Sequence, residues 1–193
     1  MLTLNLRPTI QLTDEAFAQL CRSNPNLRLE RTAAGELVAM SPTGSESGHY
    51  NVELATDLTL WNRQARLGIT FDSSTGFTLP NGAIRSPDAA WIKQSRWDAL
   101  SPEQKRKFAP ICPDFVLELR SPSDDMETLQ TKMQEYLSNG LRLGWLIDPD
   151  TRTVEIYRPD HPVEILQTPA ILSGERVLPG FVLDLSIIWK PFS

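Results

Sequence analysis

The stretch Pro113 to Asp124, PDFVLELRSPSD, runs into a segment of helical periodicity over 124–139 and then into LGWLID at 143–148. An apolar strand, an amphipathic helix and a second apolar strand at this spacing make a βαβ crossover. That unit sets two strands parallel in one sheet and lays the helix back over one face. Taken as a strand, the stretch puts Phe115, Leu117 and Leu119 on one side and Asp114, Val116, Glu118 and Arg120 on the other. One face is wholly apolar. Ionised groups in so apolar a strand need a partner or a metal, and such conflicts between pattern and chemistry concentrate at functional sites.

The rest of the chain supplies a shell for this unit. A short helix is predicted over 13–23, with Asp14 and Glu15 in its first turn and Phe17, Leu20 and Cys21 on one face. LRLER and ELVAM, joined by TAAG, form a hairpin over 27–40. SPTGS is a loop, and Tyr50, Leu54, Leu58, Trp61 and Ala65 recur at helical spacing within 46–66. Strands follow at 69–72, 77–80 and 88–92, the last two separated by the turn-prone NGAIRSP. The region Lys93 to Lys107 carries five cations against two anions and reads as a solvated loop with a helical turn. Past LGWLID, DPDT makes a turn in which Asp148 is a turn former, and TVEIYR pairs back. VEILQ, RVL and FVLDL add short edge strands, and most of the five tryptophans read as core. The class is α/β (α+β) in one domain spanning 1–193, a sheet with helices and an N-terminal helix and hairpin.

Length and composition agree with one globular domain: 193 residues, 40% hydrophobic and 22% charged. A net charge of −5 says nothing for nucleic acid and weighs mildly against a membrane surface. If the substrate is a phosphate polymer, basic residues must be gathered locally, and 93–107 is the obvious phosphate contact. Cys21 and Cys112 lack CxxC spacing and read as reduced, buried thiols of a cytoplasmic protein. Arg7, Asp14 and Glu15 interrupt the N-terminal apolar residues, and no run approaches a membrane span.

Two side chains are candidates to meet at Glu118. Lys132 sits on the edge of the helical stripe made by Leu129, Met133 and Tyr136. Long helical side chains lean toward the helix N-terminus, which lies just past Arg120, so its ammonium leans toward Glu118. The competing reading is a lysine snorkelling over Tyr136. Asp88, in SPDAAWI, is turn chemistry when taken alone. Paired with Glu118 on a neighbouring strand it becomes half of an oxygen-only cation site, which suits Mg²⁺ because that ion takes few protein ligands and keeps its waters. His49 and His161 are too few and too far apart for zinc, and no serine triad is apparent. A hard cation, an acid pair and a lysine point to phosphodiester hydrolysis, with Lys132 as a catalytic group that orients or deprotonates the attacking water and stabilises the transition state.

The motifs SPTGSESGHYN (41–51), RSPDAAWI (85–92), PDFVLELRSPSD (113–124), KMQEYLSNG (132–140) and LGWLIDPDTRTVEIYR (143–158) occur in family order over most of the chain. Together they resemble the PD-(D/E)XK nuclease superfamily, and more closely its Uma-two family of restriction-type endonucleases. The resemblance implies a restriction-endonuclease-like core, a mixed β-sheet flanked by helices, and Mg²⁺-dependent cleavage of DNA, with Mn²⁺ as a substitute, often by homodimers. It makes Asp88 and Glu118 the two acids, both catalytic and metal-binding. Arg120 stands where the superfamily formula has lysine. Arginine clamps phosphate but is a poor general base. The lysine of this branch is on the following helix, at Lys132. Glu46 and His49 match a further motif, which implies Glu46 as a metal ligand and His49 as a substrate contact. A plain packing role for His49 at the helix start is the alternative.

Two rivals stand beside the endonuclease. One is a catalytically inactive nuclease-fold protein binding nucleic acid or a protein partner, suggested by Arg120 and the acidic charge. The other is a metal-free acid/base hydrolase such as a glycosidase, using Asp88 and Glu118.

Overall fold

The structure, a computed structural model, describes residues 2–189. In chain order its elements are β1 (Leu2–Leu4), α1 (Asp14–Ser23), β2 (Arg28–Arg31), β3 (Leu37–Met40), α2 (Ser45–Ala65), β4 (Gly68–Asp72), β5 (Phe77–Thr78), β6 (Ile84–Arg85) and β7 (Ala89–Lys93). They continue with α3 (Gln94–Asp98), α4 (Pro102–Lys105), β8 (Phe115–Leu119), α5 (Met126–Ser138), β9 (Leu143–Asp148), β10 (Thr153–Tyr157), β11 (Glu164–Gln167), β12 (Ile171–Ser173), β13 (Val182–Asp184) and α6 (Ser186–Trp189).

A six-stranded sheet in the order β11-β10-β9-β8-β7-β4 is the frame. It is mixed: β8 and β9 run parallel, Phe115 opposite Leu143, and the other pairs are antiparallel. The parallel pair is the product of the crossover through α5, whose N-cap Asp125 accepts a hydrogen bond from the Thr128 amide at 2.8 Å. Asn139 caps the other end, and Gly140 follows at φ +102°, a left-handed conformation that a side chain resists.

The alternation within β8 separates two cores. Phe115, Leu117 and Leu119 pack with Tyr50, Leu54 and Leu58 of α2 on one face. Val116 packs with Leu129, Met133 and Tyr136 of α5 on the other. Glu118 belongs by alternation to the α5 side and is buried there, 3% exposed.

A second sheet, in the order β1-β3-β2-β6-β5, carries the N-terminal hairpin, and a third small core of Phe17, Leu29 and Ile84 lies between it and α1. Thr13 caps α1 by accepting from the Ala16 amide at 3.2 Å.

Some expectations are corrected. NGAIRSP is not only turn, since Ile84–Arg85 forms β6 and pairs with β2 and β5. RVL at 176–178 is not a strand: Leu178 lies in a turn, its amide bonded to the Gly174 carbonyl at 2.8 Å. The strands that pair there are β12 and β13. The 93–107 stretch holds two short helices, and Cys21 is only partly buried, whereas Cys112 is buried and both are free thiols. Among the described residues no helix is long and apolar enough to cross a membrane.

Candidate active site

Asp88 stands one residue before β7, and Ala89 is opposite Leu117 in the antiparallel register of β7 with β8. This places its carboxylate at the C-terminal end of β8, where Oδ2 accepts the Leu119 amide at 2.9 Å. Asp88 is thus fastened to the backbone of the residue that follows Glu118. Both acids line one cavity of about 50 Å³, together with Arg28, Asn51, Asp124 and Lys132.

Lys132 and Tyr136 are one turn apart on α5, so both reach the same point on the sheet. Lys132 Nζ lies 2.8 Å from Glu118 Oε1, and the Tyr136 hydroxyl donates to the same oxygen at 3.2 Å. Lys132 is 6% exposed, which excludes the snorkelling alternative.

Sequence reasoning missed the other half of this cluster. Alternation along β2 turns Arg28 and Glu30 to the same side. Glu30 is 1% exposed; its Oε1 lies 3.0 Å from Lys132 Nζ and accepts the Ser86 amide at 2.8 Å. Its Oε2 accepts from Arg85 at 3.1 Å, and Arg85 also donates to Glu135 at 2.5 Å. A chain of charge therefore runs Glu118–Lys132–Glu30–Arg85–Glu135 across the junction of the two sheets. The available signal was the Arg-x-Glu alternation of RLER, which in a hairpin reads as a solvent face.

Burial pushes the Glu118 carboxyl up to about 7, against the pull of Lys132 and with the charges of Asp88 and Glu30 adding to the rise. Burial also raises Asp88, opposed by the Leu119 amide, Lys132 and Arg28. For Glu30 burial acts upward too, but Lys132, Arg85 and the Ser86 amide overcome it and hold the carboxyl below its ordinary value. Burial acts to lower Lys132, yet Glu118 and Glu30 together raise it, so the amine stays an ammonium at neutral pH.

The donor set fits a hard divalent cation. Among the described residues no group of three or more His, Cys, Asp or Glu is gathered for a metal ion. Mg²⁺ nonetheless commonly takes one or two carboxylates and keeps its waters. Of the charged side chains that line the cavity, Asp88, Glu118 and Asp124 stand against Arg28 and Lys132, an excess of one carboxylate.

The other sequence candidates lie elsewhere. Glu46 is exposed on the first turn of α2, its Oε1 accepting from the Tyr50 hydroxyl at 3.0 Å, and it does not line the cavity. His49 is half-buried, its ring 5.9 Å from that of Tyr50, and it too lies outside the lining. From the same motif it is Asn51 that faces the acids, Nδ2 lying 3.4 Å from Asp88 Oδ1. Arg120 turns away: its NH1 meets both oxygens of Asp148 at 3.1 Å and Asp150 at 3.3 Å. Asp148 is a turn former as expected, accepting the Asp150 amide at 3.0 Å. The basic stretch 93–107 begins at the far end of β7 from Asp88, about 16 Å away at the rise of a strand.

A mixed sheet whose crossover helix sets a lysine against Glu118 of β8, with Asp88 just before β7 on the same cavity, is the architecture of a nuclease-type fold. A solved structure described as a "putative nuclease belonging to DUF820" from Anabaena variabilis ATCC 29413 superposes with a TM-score of 0.75 at 20% identity, covering 92% of this chain and 97% of that one. The chain belongs to the Uma2 family, described as "Putative restriction endonuclease", whose model matches residues 14–186. No curated protein matches it.

Proposed function

We propose that the protein is a Mg²⁺-dependent endonuclease that hydrolyses phosphodiester bonds of DNA, with Mn²⁺ as a substitute for Mg²⁺. The observation that carries this reading is the meeting of Asp88, Glu118 and Lys132 on one cavity, with Lys132 Nζ 2.8 Å from Glu118. The family's description and the fold of its structural neighbour support it.

Asp88 and Glu118 would hold the cation, which when bound neutralises charge on the scissile phosphate and acidifies a water. Water adds to phosphorus, the bond to the leaving oxygen breaks, and that oxygen takes up a proton. Glu118 is oriented by two donors on its Oε1, Lys132 and Tyr136. Lys132, held cationic between two carboxylates, contributes charge opposite the phosphate and keeps Glu118 in place, and it is poorly suited to take the proton from water. Glu46 and His49 would contact substrate or its ions from the start of α2, and Arg120 would meet a phosphate only by leaving Asp148. A homodimer would set one such site on each strand of a duplex, and the two free thiols fit a reducing cytoplasm.

The test is nicking of supercoiled plasmid in Mg²⁺ or Mn²⁺. Cleavage that vanishes with chelator and in Asp88→Ala and Glu118→Ala supports the reading. Binding of DNA with no cleavage in either metal would favour the inactive nuclease-fold alternative, and chelator-insensitive hydrolysis of a glycoside the metal-free one.

A further inference from the structure

β2 presents two side chains to the cavity region, and only Glu30 is absorbed by the lysine. Arg28, two residues earlier, lines the cavity beside Asp88. Its NH2 donates to the Ser73 carbonyl at 2.9 Å and stands 3.8 Å from Asp88 Oδ1, a charge contact beyond hydrogen-bond range. Its Nε is buried without a partner, although the side chain as a whole is 33% exposed. A buried N–H left unpaired carries an uncompensated desolvation cost, so such a group persists where something else meets it.

Asn51 lies alongside, its amide Nδ2 3.4 Å from the same Asp88 oxygen. The remaining wall near them is hydroxyl-bearing: Ser41, Thr43, Ser121 and Ser123 all line the cavity. A planar cation with an unspent Nε–H, next to hydroxyls and an acid pair, is arranged for an oxyanion.

We infer that Arg28 is the anchor for a nucleic-acid phosphate at this site, with Asn51 the polar group that sets its position against Asp88. The inference rests on the reading of the site as a nuclease centre. The guanidinium is loosely tied to Asp88, so once that carboxylate serves a cation the arginine is released to give its N–H groups to a non-bridging phosphate oxygen. Arg28 so placed takes, from the N-terminal hairpin, the phosphate-clamping role that the sequence offered to Arg120.

The experiment is binding of a fluorescent DNA duplex in Ca²⁺, titrated with salt, for wild type, Arg28→Ala, Arg28→Lys and Asn51→Ala, with melting curves for each. Arg28→Ala should lose about tenfold in affinity and lower the salt slope by about one unit. Arg28→Lys should keep the slope and lose part of the affinity, because the charge remains and the planar fork does not. Asn51→Ala should weaken binding with the slope unchanged. An Arg28→Ala protein that melts like wild type and binds with the same affinity and slope overturns the inference alone. Should Arg28→Ala fail to fold, Arg28→Lys decides, and wild-type affinity there overturns it. Wild-type protein that binds no duplex would remove the nuclease reading and the anchor with it.

Discussion

Glu30 Oε1 and Lys132 Nζ are 3.0 Å apart, a contact between the N-terminal hairpin and the crossover helix that joins the two sheets through a buried charge. Lys132 spans Glu30 and Glu118, so its loss would leave Glu118 with the Tyr136 hydroxyl and Glu30 with Arg85 and the Ser86 amide, two buried carboxylates each short of a charge partner.

Removing one partner of a buried pair costs about 3–5 kcal/mol, whereas removing charge from both sides is far milder. Lys132→Met should therefore lose stability in that range, and adding Glu30→Gln should restore a substantial part of it, an interaction of about 1–3 kcal/mol in the cycle. Urea melts of the four proteins check this, and strictly additive losses would refute the coupling. Cleavage should be absent from both Lys132 variants.

Glu118 gives the pH dependence. Its folded carboxyl titrates at about 7, above its ordinary value of 4.5, so between those values the folded state holds a proton the unfolded chain has released. Stability from this group is present at low pH and is lost as pH rises through about 7. A cation held at Glu118, as proposed, would compete with that proton. Mg²⁺ should raise the melting temperature more at pH 8 than at pH 6, and calorimetry should show proton release at pH 6. In Glu118→Gln both differences should disappear.

The phenol of Tyr136 tests the orientation of Glu118. Tyr136→Phe deletes a donor to a buried carboxylate and should cost about 1.5–3 kcal/mol. Metal affinity should weaken and cleavage slow, while DNA binding in Ca²⁺ changes little. Unaltered turnover would mean that Lys132 alone orients the acid.

Arg120 separates a structural from a substrate role. Arg120→Ala removes the partner of Asp148, a side chain 3% exposed, and should lower the melting temperature by several degrees. Given the direction of its guanidinium, the salt slope of DNA binding should stay at the wild-type value. A slope reduced by about one unit would instead make Arg120 a phosphate contact.

Much of this architecture is visible in the chain itself. The crossover was legible because Phe115–Leu119, the α5 stripe and Leu143–Asp148 are long enough to show their periods, and the lean of Lys132 toward Glu118 follows from helix geometry alone. Glu30 and Arg85 were not legible. Glu30 lies in a hairpin strand whose charged side is indistinguishable from a solvent face until the second sheet is folded onto the first. Arg85 sits in a two-residue strand, too short to show any period, inside a segment whose Asn and Gly announce a turn. Asn51 was overlooked for a related reason: the same motif offered Glu46 and His49, whose chemistry is louder, while the turn of α2 points its neighbour at Asp88.

The tether between Asp88 and the Leu119 amide has a further implication for engineering. It fixes the spacing of the acids at one rim of the sheet, whereas the connection from β7 to β8 emerges at the other rim through a segment exposed at Arg106 and Lys107. A reporter or targeting module spliced into that connection should leave the chemistry untouched, because the ruler that spaces the two carboxylates is read from the opposite margin.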